Sequence, residues 1–349
     1  MIEVKNLTKR YGKRKAVSDL SFCVEDGLIT GFLGPNGAGK STTMNIMTGF
    51  IAPSEGTVLV NGIDILEEPE KAKKLIGYLP EQPPVYMDMT VQEYLLFVAE
   101  LKKVPAKDRA MQIDKIEDMM SLKEVSGRLI KNLSKGFRQR VGFAQALVGF
   151  PPIIILDEPM VGLDPKQIIE IRDMIKQLKQ NHTIILSSHI LSEINMICDK
   201  IMIISKGKLV VYDTPENLVT AGSAKEEVHL TAKGNSGQVE DILAGIDGVC
   251  CELTANDEEN ICRVVVKTEG GADNDISERI FFAFADARVP IVEMHHVTES
   301  LEDIFLELTD GNNDSAGQKT EPVDEEIFVE PEEAAAMEEN RTEGKEVDE

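Results

Sequence analysis

The hydrophobic pattern along residues 1–221 predicts strands that alternate with helices. Short apolar runs typical of strands occur at residues 28–33, 57–60, 75–79, 153–156, 183–187 and 200–205. Residues 2–24 alternate like two more strands around the polar segment 8–15. Helical spacing marks residues 90–103, 110–122, 135–148, 166–180 and 190–196. We therefore expect an α/β domain with a parallel, doubly wound sheet, an antiparallel part and a helical insert at about residues 84–150.

A change of composition near residues 221–225, where small and charged residues replace the apolar runs, predicts a domain boundary. The pattern over residues 222–310 predicts the β-α-β-β-α-β order of a small ferredoxin-like α+β domain, followed by an amphipathic helix at 301–308. The sheet of this domain could dimerise the subunits, sense a ligand or brace the first domain. No cluster of chemically active residues decides between these roles.

The charge of the chain is strongly acidic, with 37 Lys and Arg against 61 Asp and Glu and a net charge of -24. Residues 311–349 account for -11 of this and contain few large apolar residues, which predicts a disordered acidic tail. A solvated extension is the simpler interpretation of the tail, and a basic partner is the alternative. Because the chain is so acidic, no nucleic-acid partner is expected.

The cysteines and the apolar runs indicate where the protein works. The five cysteines show no paired framework and no CxxC, so neither a disulfide scaffold nor a zinc site is expected, and a reducing cytosol fits. No signal peptide is recognisable, and no apolar run approaches the ~20 residues that span a bilayer. A membrane role would therefore require a partner.

Residues 34–41, with the sequence Gly-Pro-Asn-Gly-Ala-Gly-Lys-Ser, match the phosphate-loop pattern between a predicted strand and a predicted helix. Glycines let successive backbone N–H groups surround a phosphate, and the helix N-terminus adds the positive end of its dipole. Lys40 would bridge the outer phosphates and Ser41 would ligate Mg²⁺. A glycine-rich turn without a ligand is the alternative.

Two carboxylates follow the apolar run 153–156. Asp157 and Glu158 come 117 and 118 residues after Lys40. Two acids next to a buried strand are costly unless they have a function. Asp157 would contact Mg²⁺ through water, and Glu158 would polarise the water that attacks a γ-phosphate. The alternative is that these carboxylates cap the next helix.

Further motifs narrow the type of phosphate-loop protein. They are Tyr11 near the end of the first strand, Gln82 in Tyr-Leu-Pro-Glu-Gln-Pro-Pro, Leu-Ser-Lys-Gly-Phe-Arg-Gln-Arg at 133–140, Gly-Leu-Asp-Pro at 162–165 and His189. Together with the phosphate loop and the Asp-Glu pair, they occur in the order of the ABC ATPase family. Residues 1 to about 217 therefore resemble the ATP-binding domain of that family.

The resemblance implies a P-loop ABC ATPase that binds ATP and Mg²⁺. In the family two such domains face each other head to tail, and each ATP lies between the phosphate loop of one and the signature motif of the other. Tyr11 would then stack on adenine with Val17 beside it. The other implied nucleotide contacts are Asn36, Gly37, Ala38, Gly39, Lys40, Ser41 and Thr42, and from the opposite subunit Ser134 and Gly136.

The implied catalytic residues are Glu158, His189 and Gln82. His189 would hold the γ-phosphate, and Gln82 would contact Mg²⁺ or the attacking water, so that the metal set is Ser41, Gln82 and Asp157. Asp164 would shape the dimer seam. Without the family context, His189 is equally well explained as a helix cap, and Tyr11 as a surface aromatic residue.

Three positions depart from the family pattern. Lys135 replaces the first glycine of the signature, Phe137 replaces its glutamine, and Met160 replaces the usual small hydroxyl residue after Pro159. Ser134 and Gly136 are retained. We therefore predict a competent enzyme that hydrolyses ATP slowly.

The end of the second domain, residues 296–309, resembles the single-domain ATP-binding subunits of bacterial exporters of the drug-resistance, sodium-export and gliding-motility type. The resemblance implies an integral membrane permease encoded separately, a second copy of the chain or a homologous ATPase subunit, and a cytoplasmic protein peripheral on the inner face of the cell membrane. The permease would dock near residues 82–86. The competing class is a soluble ABC ATPase that acts on ribosomes or nucleic acid. Such proteins usually join two ATPase domains or carry long coiled coils, and neither is recognisable here.

Overall fold

The structure is a computed structural model that describes residues 1–222, 227–246, 248–257, 261–268, 276–297 and 305. Its first domain alternates strands and helices as expected. The elements are β1 (Ile2–Tyr11), β2 (Arg14–Val24), β3 (Ile29–Leu33), α1 (Lys40–Met47), β4 (Glu55–Val60), β5 (Ile63–Asp64), α2 (Pro69–Lys74), β6 (Ile76–Leu79), α3 (Val91–Leu101), α4 (Ala106–Met119), α5 (Lys135–Leu147), β7 (Ile153–Leu156), α6 (Pro165–Leu178), β8 (Thr183–Ser188), α7 (Leu191–Asn195), β9 (Lys200–Ser205), β10 (Lys208–Asp213) and α8 (Pro215–Gly222). The predicted α/β class is confirmed.

The central sheet has the strand order β10-β9-β3-β8-β7-β6, in which β10 is antiparallel and the other strands are parallel. Both of its faces are covered, which explains why its strands are apolar throughout. In β7, Ile153 and Ile155 join one core cluster, and Ile154 and Leu156 join the other. The carboxyl ends of the parallel strands lie at one edge, and the phosphate loop and the Asp-Glu pair both leave from it.

A second, antiparallel sheet has the order β2-β1-β4-β5. Strands β1 and β2 form a hairpin in which Tyr11 is paired with Arg14, so the turn is shorter than the predicted polar segment 8–15. This hairpin brings Tyr11 to the cleft beside the phosphate loop. The sheet therefore supplies one wall of the candidate site.

Helix starts follow local capping chemistry. Thr90 and Glu93 form a capping box at α3, Ser134 caps α5, and Asp164 with Pro165 begins α6. Helix α4 begins at Ala106, earlier than the predicted residue 110, because its first turn is polar and shows no apolar spacing. The short elements β5 and α2 were not predicted, since neither is long enough to show a period.

Residues 227–297 contain β11 (Glu227–Lys233), α9 (Ser236–Ala244), β12 (Val249–Asp257), β13 (Ile261–Thr268), α10 (Ile276–Asp286) and β14 (Ile291–Val297). Their antiparallel sheet has the order β12-β13-β11-β14 and its own core, which includes Leu230, Val264 and Phe284. The predicted ferredoxin-like order is confirmed.

The acidic tail at 311–349 and the predicted helix at 301–308, except Phe305, lie outside the described residues. The domain limits 1–221, 222–310 and 311–349 stay predictions. No helix within the described ranges is long and apolar enough to cross a bilayer.

Candidate active site

The phosphate loop joins β3 to α1 through a tight backbone turn. Gly39, at the start of α1, has a φ of 106°, and a Cβ added there would lie 2.7 Å from the carbonyl oxygen of Ala16. Only glycine fits this position without strain. The Lys40 Nζ donates to the Gly34 carbonyl at 2.7 Å, so the amine is held against the loop that it would help to close around a phosphate.

Ser187, at the end of β8, fixes both carboxylate residues that follow β7. Its Oγ donates to Asp157 Oδ1 at 2.6 Å and accepts from the backbone N–H of Glu158 at 2.8 Å. Glu158 has a φ of 46°, a conformation that a residue with a side chain keeps only where its surroundings enforce it. The Ser41 hydroxyl donates to the same Asp157 oxygen at 3.4 Å. The two motifs therefore meet at Asp157.

The carboxylate of Glu158 lies between two nitrogen groups. Its Oε1 is 3.8 Å from the Lys40 Nζ, and its Oε2 is 3.0 Å from His189 Nδ1. Burial lowers the pKa of Lys40, and the charges of Glu158 and Asp157 act in the opposite direction. The structure thus brings together five residues for which the sequence predicted a common site: Lys40, Ser41, Asp157, Glu158 and His189.

These groups border a cleft of about 410 Å³, which we call the nucleotide cleft; it is lined by Tyr11, Arg14, Ala16, Asn36, Gly37, Ala38, Gly39, Lys40, Ser41, Thr42, Glu81 and Glu158. The Tyr11 ring is half exposed at the rim, where a flat group could stack on it. Val17 is placed differently from expectation. It is fully buried behind the loop, and its neighbour Ala16 lines the cleft instead, because side chains alternate along β2.

A larger cavity of about 750 Å³, which we call the wide groove, also reaches Ser41 and Asp157. Its lining includes Phe50, Ile76, Tyr78, Gln82, Lys102 and Gln145. Gln82 therefore shares a cavity with both other predicted metal ligands, but it does not line the nucleotide cleft. The groove is open and partly aromatic, and Phe50 is 77% exposed.

The signature residues lie in a separate cleft. Ser134, Gly136 and Asp164 line a cavity of about 320 Å³ that shares no residue with the nucleotide cleft. Ser134 caps α5 by accepting from the Phe137 N–H at 3.4 Å, and Asp164 caps α6 by accepting from the Gln167 N–H at 2.9 Å. Within one chain, Ser134 and Gly136 are thus not brought to the phosphate loop.

Comparison with known proteins identifies the family. The family described as ABC transporter matches residues 17–161. The ABC transporter ATP-binding protein YhcH of Bacillus subtilis (strain 168) is 35% identical over 314 residues, which cover 88% of this chain and 96% of YhcH. The chain belongs to the ABC transporter ATP-binding proteins. It is an ABC ATPase, as the motif order implied.

Two further relatives extend this result. The bacitracin transport ATP-binding protein BcrA of Bacillus licheniformis is 39% identical over 212 residues, covering 60% of this chain and 68% of BcrA. A solved dimeric structure of MJ0796, a bacterial ABC transporter cassette, superimposes with a TM-score of 0.57 at 26% identity and covers 61% of this chain and 98% of that one. The chain is thus similar to the ATPase subunits of transporters.

The three departures from the ABC pattern have structural explanations. The Lys135 Nζ lies where a side chain at position 162 would begin. It fits there because residue 162 is a glycine, with a φ of 69°. Met160 is buried in the core that the helices share, rather than facing the nucleotide cleft. Gln139 Nε2 donates to the Pro159 carbonyl at 3.0 Å, so a glutamine two positions after Phe137 still ties α5 to the chain after Glu158.

The residues at Asp157 fit a magnesium ion that arrives with the nucleotide. Mg²⁺ prefers oxygen ligands and is usually held by one or two protein oxygens together with phosphates and water. Ser41 Oγ and Asp157 Oδ1 are such oxygens and already approach each other at 3.4 Å. Within the described ranges there is no group of three or more His, Cys, Asp or Glu that could hold a metal ion.

Sequence reasoning missed several residues of the ABC site. Ser187 positions both carboxylates, Arg14 lines the cleft with its Nη2 3.8 Å from the Cβ position of Gly37, and Gly207 donates its N–H to the Ala38 carbonyl at 2.9 Å. Only Ser187 had a signal, since it is a polar residue at the carboxyl end of a predicted strand. Arg14 and Gly207 come from the hairpins β1–β2 and β9–β10, which carry no motif.

Proposed function

We propose that the chain powers an exporter by closing with a second copy, or with a homologous ATPase subunit, around two ATP–Mg²⁺. The motion would be passed to a separately encoded membrane permease, which places the protein on the inner face of the cell membrane. The similarity to BcrA, whose name refers to bacitracin transport, supports a transporter of the drug-resistance type.

The observation that carries this proposal is the separation of the two half-sites. Lys40 and Glu158 line one cleft, and Ser134 and Gly136 line another. A helix N-terminus such as that of α5 suits the outer phosphate of a nucleotide. A second copy, turned head to tail, would bring its α5 to the nucleotide held by the first, so that each site is completed only in the dimer.

In the closed dimer, Glu158 would polarise the attacking water, as its fixed backbone and its bond to His189 prepare it to do. His189 would hold the γ-phosphate with the ring nitrogen that does not face Glu158. Bound Mg²⁺ would neutralise phosphate charge, and Ser41, Asp157 and Gln82 are the residues that would hold it. Tyr11 would stack on adenine at the rim of the cleft.

The wide groove is the surface that we assign to the permease. It contains Gln82 beside Ser41 and Asp157, and it opens to exposed aromatic residues such as Phe50. A permease segment in this groove would contact Gln82, which lines the same cavity as Ser41 and Asp157. This arrangement would couple nucleotide state to the membrane subunit.

The competing function, an ABC ATPase that acts on ribosomes or nucleic acid, lacks such support. The net charge of -24 opposes binding to a polyanion. The names or titles of the relatives described above refer to an ABC transporter or to bacitracin transport.

The test is a pull-down of the tagged full-length Glu158→Gln protein with ATP from solubilised membranes of the source organism, followed by identification of what co-purifies. We expect an integral membrane protein in stoichiometric amount. Lys40→Ala, which should not trap nucleotide, is the matched control. Ribosomes or nucleic acid in place of a membrane protein would overturn the proposal.

A further inference from the structure

A second cavity, of about 620 Å³, adjoins the wide groove. It lies between α2, the turn from α3 to α4, and the end of α5. Its polar lining consists of Glu70, Lys73, Lys74, Lys102, Lys103 and Gln112. We call it the lysine recess. Four lysines and one glutamate make it a basic site on a chain whose net charge is -24.

The recess keeps most of its positive charge uncompensated. Lys103 is paired with Glu70 at 3.2 Å, whereas no salt bridge reaches Lys73 or Lys74 from any residue in the described ranges. Two amines with no acidic partner in one cavity attract an anion.

Lys102 prepares the floor of the recess for a negative ligand. Its Nζ donates to the carbonyls of Gln145 and Ala146, both at 3.2 Å, and of Val148 at 2.9 Å, which lie at the end of α5. A helix C-terminus repels anions, and a lysine bonded to it reverses that effect. Burial lowers the pKa of Lys102 to about 8, so the amine is still mostly protonated at pH 7.

The recess and the wide groove form one surface, because both are lined by Lys73, Ile76 and Lys102. Apolar side chains flank the basic part on both sides. Leu101 at the recess is 64% exposed and Phe50 at the groove is 77% exposed. A ligand that covers this surface must therefore combine apolar groups with negative charge that faces the lysines.

We propose that the lysine recess binds carboxylates of an acidic, amphipathic segment of a partner protein whose apolar side chains fill the wide groove. The inference rests on the proposed function, since the partner would be the permease, and it adds the charge by which this chain selects its partner. Lys73 and Lys74 form the ion pairs, and Lys102 supplies the positive floor.

An anionic membrane surface is the other polyanion to consider, and the shape of the site disfavours it. A flat bilayer contacts lysines that project from the protein, whereas the Lys102 amine is bonded to a carbonyl at the end of α5. The wide groove beside it is concave as well, and lipid headgroups would leave its apolar lining uncovered.

The experiment measures binding of two labelled helical peptides to the full-length protein by fluorescence anisotropy. Both carry the same apolar positions, but one ends in glutamates where the other has glutamines. We expect the glutamate peptide to bind at least about tenfold more tightly, with an affinity that falls as salt is added. Lys73→Glu/Lys74→Glu should remove this preference. Lys176→Glu/Lys208→Glu, which makes the same charge change on exposed residues elsewhere, should retain it.

Equal binding of the two peptides, or no binding of either, would overturn the inference. So would binding to phosphatidylglycerol vesicles, rather than to the peptides, that is lost in Lys73→Glu/Lys74→Glu, because it would identify a membrane site. The pull-down with Glu158→Gln distinguishes this failure from that of the proposed function. A membrane protein that co-purifies when the peptides show no charge preference leaves the transporter role intact.

Discussion

The nucleotide cleft and the wide groove share Ser41 and Glu81, yet they are built in different ways. The cleft is formed largely by backbone. At Gly39 and Gly207 an added Cβ would lie within 2.7 Å of the same carbonyl oxygen, that of Ala16. The groove is formed by side chains from several elements, and Phe50 projects from it into solvent. A ligand common to all ABC ATPases can be bound by backbone, whereas a particular partner must be selected by side chains.

The strongest way to test the cleft is to remove its base. Glu158→Gln keeps the shape of the side chain but cannot accept a proton, so we expect the rate of ATP hydrolysis to fall by roughly 10²- to 10⁴-fold while ATP still binds. Phosphate release and binding of a fluorescent ATP analogue measure the two effects. A variant that hydrolyses ATP at the wild-type rate would show that Glu158 is not the base.

The second test compares how much a substitution near each cavity lowers the free energy of unfolding. Met44, on α1 behind the phosphate loop, is fully buried, so Met44→Ala should lower the free energy of unfolding by about 2–5 kcal/mol. Phe50→Ala in the wide groove should change it by less than about 0.5 kcal/mol, because that ring is mostly exposed. Urea unfolding of both variants provides the comparison. A large loss in Phe50→Ala would mean that the groove is part of the core.

Gly207 tests whether the β9–β10 hairpin holds the phosphate loop. An added Cβ would lie 2.6 Å from the Ala16 carbonyl oxygen and would displace the N–H that bonds Ala38, so we expect Gly207→Ala to weaken ATP binding about tenfold. Gly62 has almost the same φ, 79° against 77°, but open space around it. Gly62→Ala is therefore the control for backbone strain alone. Equal ATP affinities in the two variants would show that the β9–β10 hairpin does not hold the phosphate loop.

The sequence predicted the nucleotide cleft better than the wide groove, because a site built from backbone needs particular residues close together in the chain. Phosphate binding needs glycines, a lysine and a helix start within eight residues, and such a requirement leaves a motif. Lys73 and Lys102 meet only through the fold, because they lie on α2 and after α3, and nothing in their spacing indicates that they share a cavity. Val17 shows a smaller failure of the same kind, since the face of β2 that it occupies depends on the register with β1.

The last test concerns Lys102, where the groove meets the recess. Its pKa is lowered by burial from 10.5 to about 8. Between these pH values the unfolded chain keeps a proton that the folded chain has released, so the free energy of unfolding rises with pH in this window. Relative to Lys102→Met, which has no amine to titrate, the wild type should gain about 1 kcal/mol per pH unit between pH 8 and 10.

Urea unfolding of both proteins at pH 7, 8, 9 and 10 measures this gain. Lys103→Met, which removes an exposed neighbouring amine paired with Glu70, is the control for the loss of one positive charge. A difference between wild type and Lys102→Met that stays constant across these pH values would mean that the Lys102 amine is not buried against α5. The recess would then lack its positive floor, and the selection of an acidic partner would depend on Lys73 and Lys74 alone. The wide groove would in that case differ from the nucleotide cleft even more, because no charged group of the groove would be held by backbone carbonyls.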